Sequence, residues 1–255
     1  MTPLPSPTIR GSSRGRVVAW AVVRGTIQRF TRGWRRLPAG AFRRWVVTIV
    51  VGFAACAGLA VLVTRLAQRW HAAGWLQPLD DRGLAWVERH AMSFSNAILC
   101  ESFGNLAYLI PLTTTAAGWL AWRRRPLAAL GVLASYWLER PLYVIGWQLW
   151  DRARPATIAE GIAAPGLHSF PSGHAALSAA AYGLLAWLWI SRSRSWAERG
   201  LVVLLLAALL TVVAIARLRL GTHWPSDVIV GTVLGLCWAA VVATALRRAE
   251  AIGGR

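Results

Sequence analysis

Long apolar runs bounded by arginines leave this chain few ways to fold. The clearest run, residues 45–63, holds 19 residues without a charge, close to the ~20 that a helix needs to cross a hydrocarbon core of about 30 Å. Further runs cover about 98–122, 126–147, 175–190, 200–216 and 226–246. Inside a bilayer every backbone N–H and C=O must be satisfied internally, so spanning runs of this kind become helices. The expected fold is therefore all-α, an integral membrane six-helix bundle over residues 45–246. A basic tail (1–44) precedes it and a short tail (247–255) follows it. Residues 45–63 carry no cleavage-site pattern and read as an anchor rather than a signal peptide.

Composition supports this reading and excludes its rivals. The chain is 56% hydrophobic, its mean hydropathy is +0.46, and it holds 16 Trp, too apolar for an ordinary soluble domain. A net charge of +18 suits nucleic acid in principle. Here, however, all 28 basic residues are arginines placed at the edges of apolar runs, which is the pattern membrane insertion produces, so no nucleic-acid partner is expected. Cys56, Cys100 and Cys237 lie in or beside apolar runs. They outline neither a disulfide framework nor a CxxC metal site and are read as small packing residues.

Arginine placement orients the bundle. Six spans put both termini on one side; 19 arginines fall on that side and 8 on the other, with Arg140 inside a span. The asymmetry predicts cytoplasmic termini in a multi-pass cell-membrane protein. In the tail, the apolar stretch from Val17 to Val23 among Arg14, Arg16, Arg24 and Arg29 fits either an interfacial basic helix or a solvated arm. Between the first two runs, Asp80 or Asp81 could cap a short surface helix carrying Leu84, Trp86 and Val87. Within the last run, Gly231 and Gly235 have the small-xxx-small spacing that permits close helix contact, which ordinary bundle packing also produces.

Two polar constellations interrupt the apolar pattern, and both fall on the face opposite the termini. The first, His168-Ser-Phe-Pro-Ser-Gly-His174, hands over to an alanine-rich helix. Its Ser172 hydroxyl, Gly173 amide and His174 imidazole would surround an oxyanion at a helix N-terminus, where amides lack partners and the dipole is positive. The second, Arg217-Leu-Arg-Leu-Gly-Thr-His223-Trp-Pro-Ser-Asp227, joins the fifth and sixth runs. If its Pro225 turn is helical, His223 and Asp227 share a face at i, i+4. A carboxylate there holds one imidazole nitrogen as N–H and leaves the other free to attack. Arg217 adds a fixed cation for phosphate oxygens. No group of carboxylates at metal-ligand spacing accompanies these residues, so neither a metal nor another cofactor is expected.

The order Arg154-Pro155, Pro171-Ser172-Gly173-His174, then Arg217, His223 and Asp227 resembles the type 2 phosphatidic acid phosphatase superfamily, membrane lipid phosphate phosphatases related to vanadium haloperoxidases. The resemblance covers roughly residues 79–246. It implies that His223 attacks phosphorus, that Asp227 orients it, and that His174 protonates the leaving oxygen. Arg154, Arg217, Ser172 and the Gly173 amide would hold the phosphate. Two positions depart from the family pattern: Ala216 replaces a usual serine, and Trp147 stands where the first motif has lysine. Arg140, about 10 Å deeper along the helix, and Arg152 are the nearest substitutes for that cation, although Arg140 also suits a pairing with an intramembrane acid.

The implied function is hydrolysis of a lipid phosphate or polyprenyl diphosphate on the outer face through a phosphohistidine. A phosphotransferase using the same intermediate and a non-catalytic lipid-binding scaffold are the alternatives.

Overall fold

The computed structural model describes residues 13–155 and 168–251, and among them every regular element is helical. The outer part of the basic tail (1–12), the middle of the polar loop (156–167) and residues 252–255 lie outside the described residues. The elements are α1 (Ser13–Trp34), α2 (Ala41–Ala72), α3 (Leu76–His90), α4 (Phe94–Glu101), a 3-10 turn (Ser102–Gly104), α5 (Leu106–Trp122), α6 (Pro126–Trp137), α7 (Glu139–Leu149), α8 (Gly173–Ile190), α9 (Trp196–Arg219) and α10 (Pro225–Glu250).

Four of these, α2, α8, α9 and α10, are long and apolar enough to cross a membrane. The second and third expected spans are instead broken helices. Asn105 is extended (φ −78°, ψ 153°) and separates the 3-10 turn from α5. In the third, Pro141 has no N–H to donate, and its ring crowds the carbonyl four residues back, that of Trp137, where α6 ends. Breaks at membrane depth are tolerated where neighbouring helices cover the backbone. Helix α1 lies within the basic tail, α2 begins at Ala41 before the first apolar run, and α10 continues past the last run to Glu250.

The main core joins α2, α5, α6, α7, α8 and α10 through Trp45, Ile49, Val132, Leu142, Leu184, Trp238 and Val242. The indole of Trp238 donates to the Ala134 carbonyl across the α10–α6 contact (3.1 Å). Helices α8 and α10 approach each other closely. A Cβ on Gly231 would lie 2.4 Å from the Ser172 carbonyl oxygen, and one on Gly235 would lie 2.2 Å from that of Ala176. These two glycines thus bring α10 against the backbone at the start of α8. The surface helix α3 extends beyond expectation, and neither aspartate caps it; its N-cap is Trp75, and Asp80 is buried in its middle. It turns Leu84 and Val87 onto Leu218 and Trp224, and leaves Trp75, Leu79 and Trp86 exposed.

At one end of the bundle Leu37, Arg124, Arg125, Leu246 and Glu250 line a common concavity, so the end of α1, the α5–α6 turn and the end of α10 lie together. Both motifs sit at the opposite end.

Candidate active site

Ser172, with extended backbone, caps α8, its hydroxyl accepting from the Ala175 N–H (3.5 Å). Gly173 and His174 therefore occupy the first turn, as the turn composition implied. Gly173 cannot carry a side chain here without meeting the Tyr143 ring at 3.2 Å. Trp147, in the position where the family has lysine, donates its indole N–H to the Pro171 carbonyl (3.0 Å) and stacks on His168. It supports the loop before α8 mechanically and supplies no charge.

The loop between α9 and α10 meets this turn directly. The Ser172 N–H donates to the Asp227 carbonyl (3.0 Å), and the Ser169 hydroxyl donates to the Asp227 carboxylate. His223 is 2% exposed, and its Nδ1 lies 2.8 Å from the Ser169 carbonyl oxygen. A carbonyl can only accept, so Nδ1 carries the hydrogen and Nε2 keeps its lone pair. Burial, ahead of the neighbouring Arg217 and Arg154 charges and against the pull of Asp227, pushes the His223 imidazole down to about 4. It is neutral, and its free nitrogen is nucleophilic, throughout the neutral pH range.

Asp227 does not meet His223 through a shared helical face. Helix α10 starts at Pro225 and Trp224 is extended, so His223 lies outside the helix. The carboxylate is 3.6 Å from Nδ1, an electrostatic contact rather than a hydrogen bond. One carboxylate oxygen accepts from the Trp224 N–H (2.8 Å), the other from Arg152 (2.6 Å). Ser169 thus provides the direct orienting bond, and Asp227 provides the negative charge behind it. Ser169 lies within the first constellation, but nothing in its spacing distinguishes a carbonyl that binds histidine.

The remaining expected residues converge on the same place. Arg154 donates to the Thr222 carbonyl (2.7 Å), and burial lowers the pKa of its guanidinium. Arg217 is buried and paired with Glu101 of α4. Among the described residues, Nε of Arg154 and Nε of Arg217 are buried donors without a partner. His174 lies within electrostatic reach of Arg217, His223 and Arg154. Its Nε2 is 3.0 Å from the Asn105 side-chain oxygen. One segment, residues 101–105, therefore holds two groups that a phosphate would need. Glu101 and Asn105 were visible in the sequence only as polar interruptions of an apolar run, a usual mark of function inside a membrane.

The two candidate replacements for the missing lysine separate. Arg152 is 3% exposed, and its two terminal nitrogens pair with Asp80 (2.6 Å) and Asp227 (2.6 Å), so its charge is committed. Arg140 lies beside Tyr136 and Tyr143 at the start of α7, a helix away from Arg154. It does not pair with its neighbour Glu139, whose carboxylate oxygens are both buried without a partner.

This geometry has known relatives. Residues 127–250 match the family model described as PAP2 superfamily. The chain is 28% identical over 138 residues to phosphatidylglycerophosphatase B of Bacillus subtilis (strain 168); that alignment takes in 52% of this chain and 65%, just under two thirds, of the relative. Among solved structures, the first transmembrane PAP2 type phosphatidylglycerolphosphate phosphatase from Bacillus subtilis superposes with a TM-score of 0.62 at 22% identity, covering 73% of this chain and 93% of that one. Aquifex aeolicus LpxE superposes with a TM-score of 0.51 at 18% identity, covering 65% and 95%. Both share the fold. Residues 127–250, just under half of the chain, are thus similar to the PAP2 superfamily, and the fold is that of the two solved phosphatases.

Proposed function

We propose that the chain is a membrane lipid phosphatase that removes a phosphate from a phosphomonoester or diphosphate headgroup at the end of the bundle opposite its arginine-rich end. One observation carries this reading: a buried histidine, His223, has Nδ1–H tied to a carbonyl and Nε2 left free among arginines. In the first step Nε2 attacks phosphorus, the P–O bond to the lipid breaks, and His174 gives its proton to the departing oxygen. In the second, water attacks the phosphohistidine with His174 taking its proton, the P–N bond breaks, and phosphate leaves. Arg154, Arg217 and the amides of Gly173 and the first turn of α8 neutralise the phosphoryl oxygens. The imidazolium that forms at His223 is stabilised by Asp227.

Among the described residues no three His, Cys, Asp or Glu side chains converge as a metal site. Charge neutralisation is assigned to the arginines and the helix-end amides. Arginine asymmetry supports an outward-facing site, with residues 45–246 as the membrane phosphatase unit.

The relative named phosphatidylglycerophosphatase makes phosphatidylglycerol phosphate the first substrate to assay, beside phosphatidic acid and a polyprenyl diphosphate. Phosphate release by the purified full chain in excess EDTA is the expected result. An absolute divalent-metal requirement overturns the mechanism. Neither phosphate release nor transfer to an added acceptor lipid overturns the enzyme reading in favour of a scaffold, whereas transfer to the acceptor without release of free phosphate makes the chain a phosphotransferase.

A further inference from the structure

Asp80 lies on α3, outside every motif, yet it is 2% exposed and makes three hydrogen bonds toward the site. One carboxylate oxygen accepts from the Ser226 N–H (2.8 Å); the other accepts from the Ser226 hydroxyl (2.7 Å) and from Arg152 (2.6 Å). The other terminal nitrogen of Arg152 reaches Asp227 at 2.6 Å. Asp80, Arg152 and Asp227 therefore form one buried row of alternating charge with His223 at its end. Arg217 and Arg154 face His223 as well, and His174 stands across from it. Arg154 also lies within electrostatic reach of Asp227.

Arg152 poses an electrostatic problem that the row resolves. Alone beside Asp227, the guanidinium would cancel the negative charge on which the His223 imidazole depends while it acquires positive charge during attack. A second carboxylate on the far side of Arg152 returns the row to a net charge of −1. We propose that Asp80 is a positioning residue of the reaction: by offsetting Arg152 it keeps Asp227 effective as the counter-charge to His223, and so sets the donor strength of the attacking nitrogen. This inference rests on His223 being the nucleophile.

Orthovanadate and inorganic phosphate separate this role from a structural one. Vanadate, which can expand to five-coordination as phosphorus does during in-line attack, would accept the attacking imidazole nitrogen and so report donor strength, whereas inorganic phosphate reports only the oxyanion cradle. In the full-length protein in detergent, D80N should lower kcat about tenfold and weaken vanadate inhibition about tenfold, the effect of one lost unit of pairing. Inhibition by phosphate should stay within about twofold. D80E, which keeps the charge, should retain most activity. The double variant D80N/R152Q removes both charges, returns the row to −1, and should recover most of the vanadate affinity lost in D80N. Equal weakening of vanadate and phosphate, or a double variant no better than D80N, overturns the proposal. The stabilisation of each variant by vanadate in a thermal melt gives the same comparison without turnover. If no lipid is hydrolysed while that pattern holds, the phosphatase reading falls and the role of Asp80 stands; if lipids are hydrolysed and the pattern is absent, the reverse applies.

Discussion

Arginine is the sole basic residue type in this chain besides histidine, and the two ends of the bundle use it in opposite ways. At the site end, Arg152 and Arg217 are buried and held by carboxylates, Arg152 by Asp80 and Asp227, Arg217 by Glu101. At the other end, Arg125, Arg192, Arg199 and Arg247 gather around one concavity. They rest on Trp rings, on the carbonyls of Leu188 and Ser193, and on a solvent-exposed Glu250. A buried guanidinium without a partner is costly, so each buried arginine fixes a carboxylate in place and acts as a local electrostatic element. An arginine at the interface keeps its head in water and lays its stem along apolar surface. Under the proposed topology its contribution is to orientation in the membrane rather than to chemistry.

Substitutions should expose this contrast, beginning with the largest effect. His223→Ala should lower phosphate release by at least about 10³-fold, leaving only what binding and the oxyanion cradle supply. Arg217→Ala, at the same end, should cost about 10²-fold in kcat/KM, the scale of losing one preorganised charge. Because burial pushes His223 down to about 4, kcat/KM, corrected for substrate ionisation, should keep its acid limb near that value rather than near 6.5. The same depression favours the folded state above about 6.5 and withdraws that stability as pH falls toward 4. An acid limb at 6.5 would mean that the nucleophile is solvated. Glu101→Gln should loosen the buried Arg217 that it holds and lower kcat/KM by about tenfold, less than removal of the charge itself.

At the arginine-rich end, Arg125→Ala should leave turnover unaltered and change stability by no more than about 0.5 kcal/mol, because its ion pair with Glu250 is 31% and 61% exposed. A tenfold loss of activity there would erase the distinction between the two ends.

The residues of the candidate site were largely legible in the sequence, because the proposed chemistry requires fixed spacing next to a helix start. Ser172, Gly173 and His174 fall where the turn composition placed them. Asp80 was not legible: an Asp-Asp pair before an apolar pattern looks like a cap, and only the packing of α3 against the start of α10 shows Asp80 paired with Arg152 and Ser226. The direct partner of His223 was likewise hidden, since a backbone carbonyl such as that of Ser169 carries no residue signature. Helix continuity failed where proline and asparagine interrupt apolar runs, at Asn105 and before Pro141, because hydropathy measures composition and is blind to a missing donor. The close α8–α10 approach was foreshadowed by Gly231 and Gly235, although spacing alone could not identify the backbone they meet.

The central claim is that His223 becomes covalently phosphorylated. Rapid quench of the full-length protein with a lipid substrate radiolabelled on phosphorus tests it directly. Label bound to protein should be stable in alkali, lost in acid, abolished in His223→Ala and mapped to the peptide containing His223. Rapid turnover with no acid-labile label at any quench time, or label retained by His223→Ala, contradicts it.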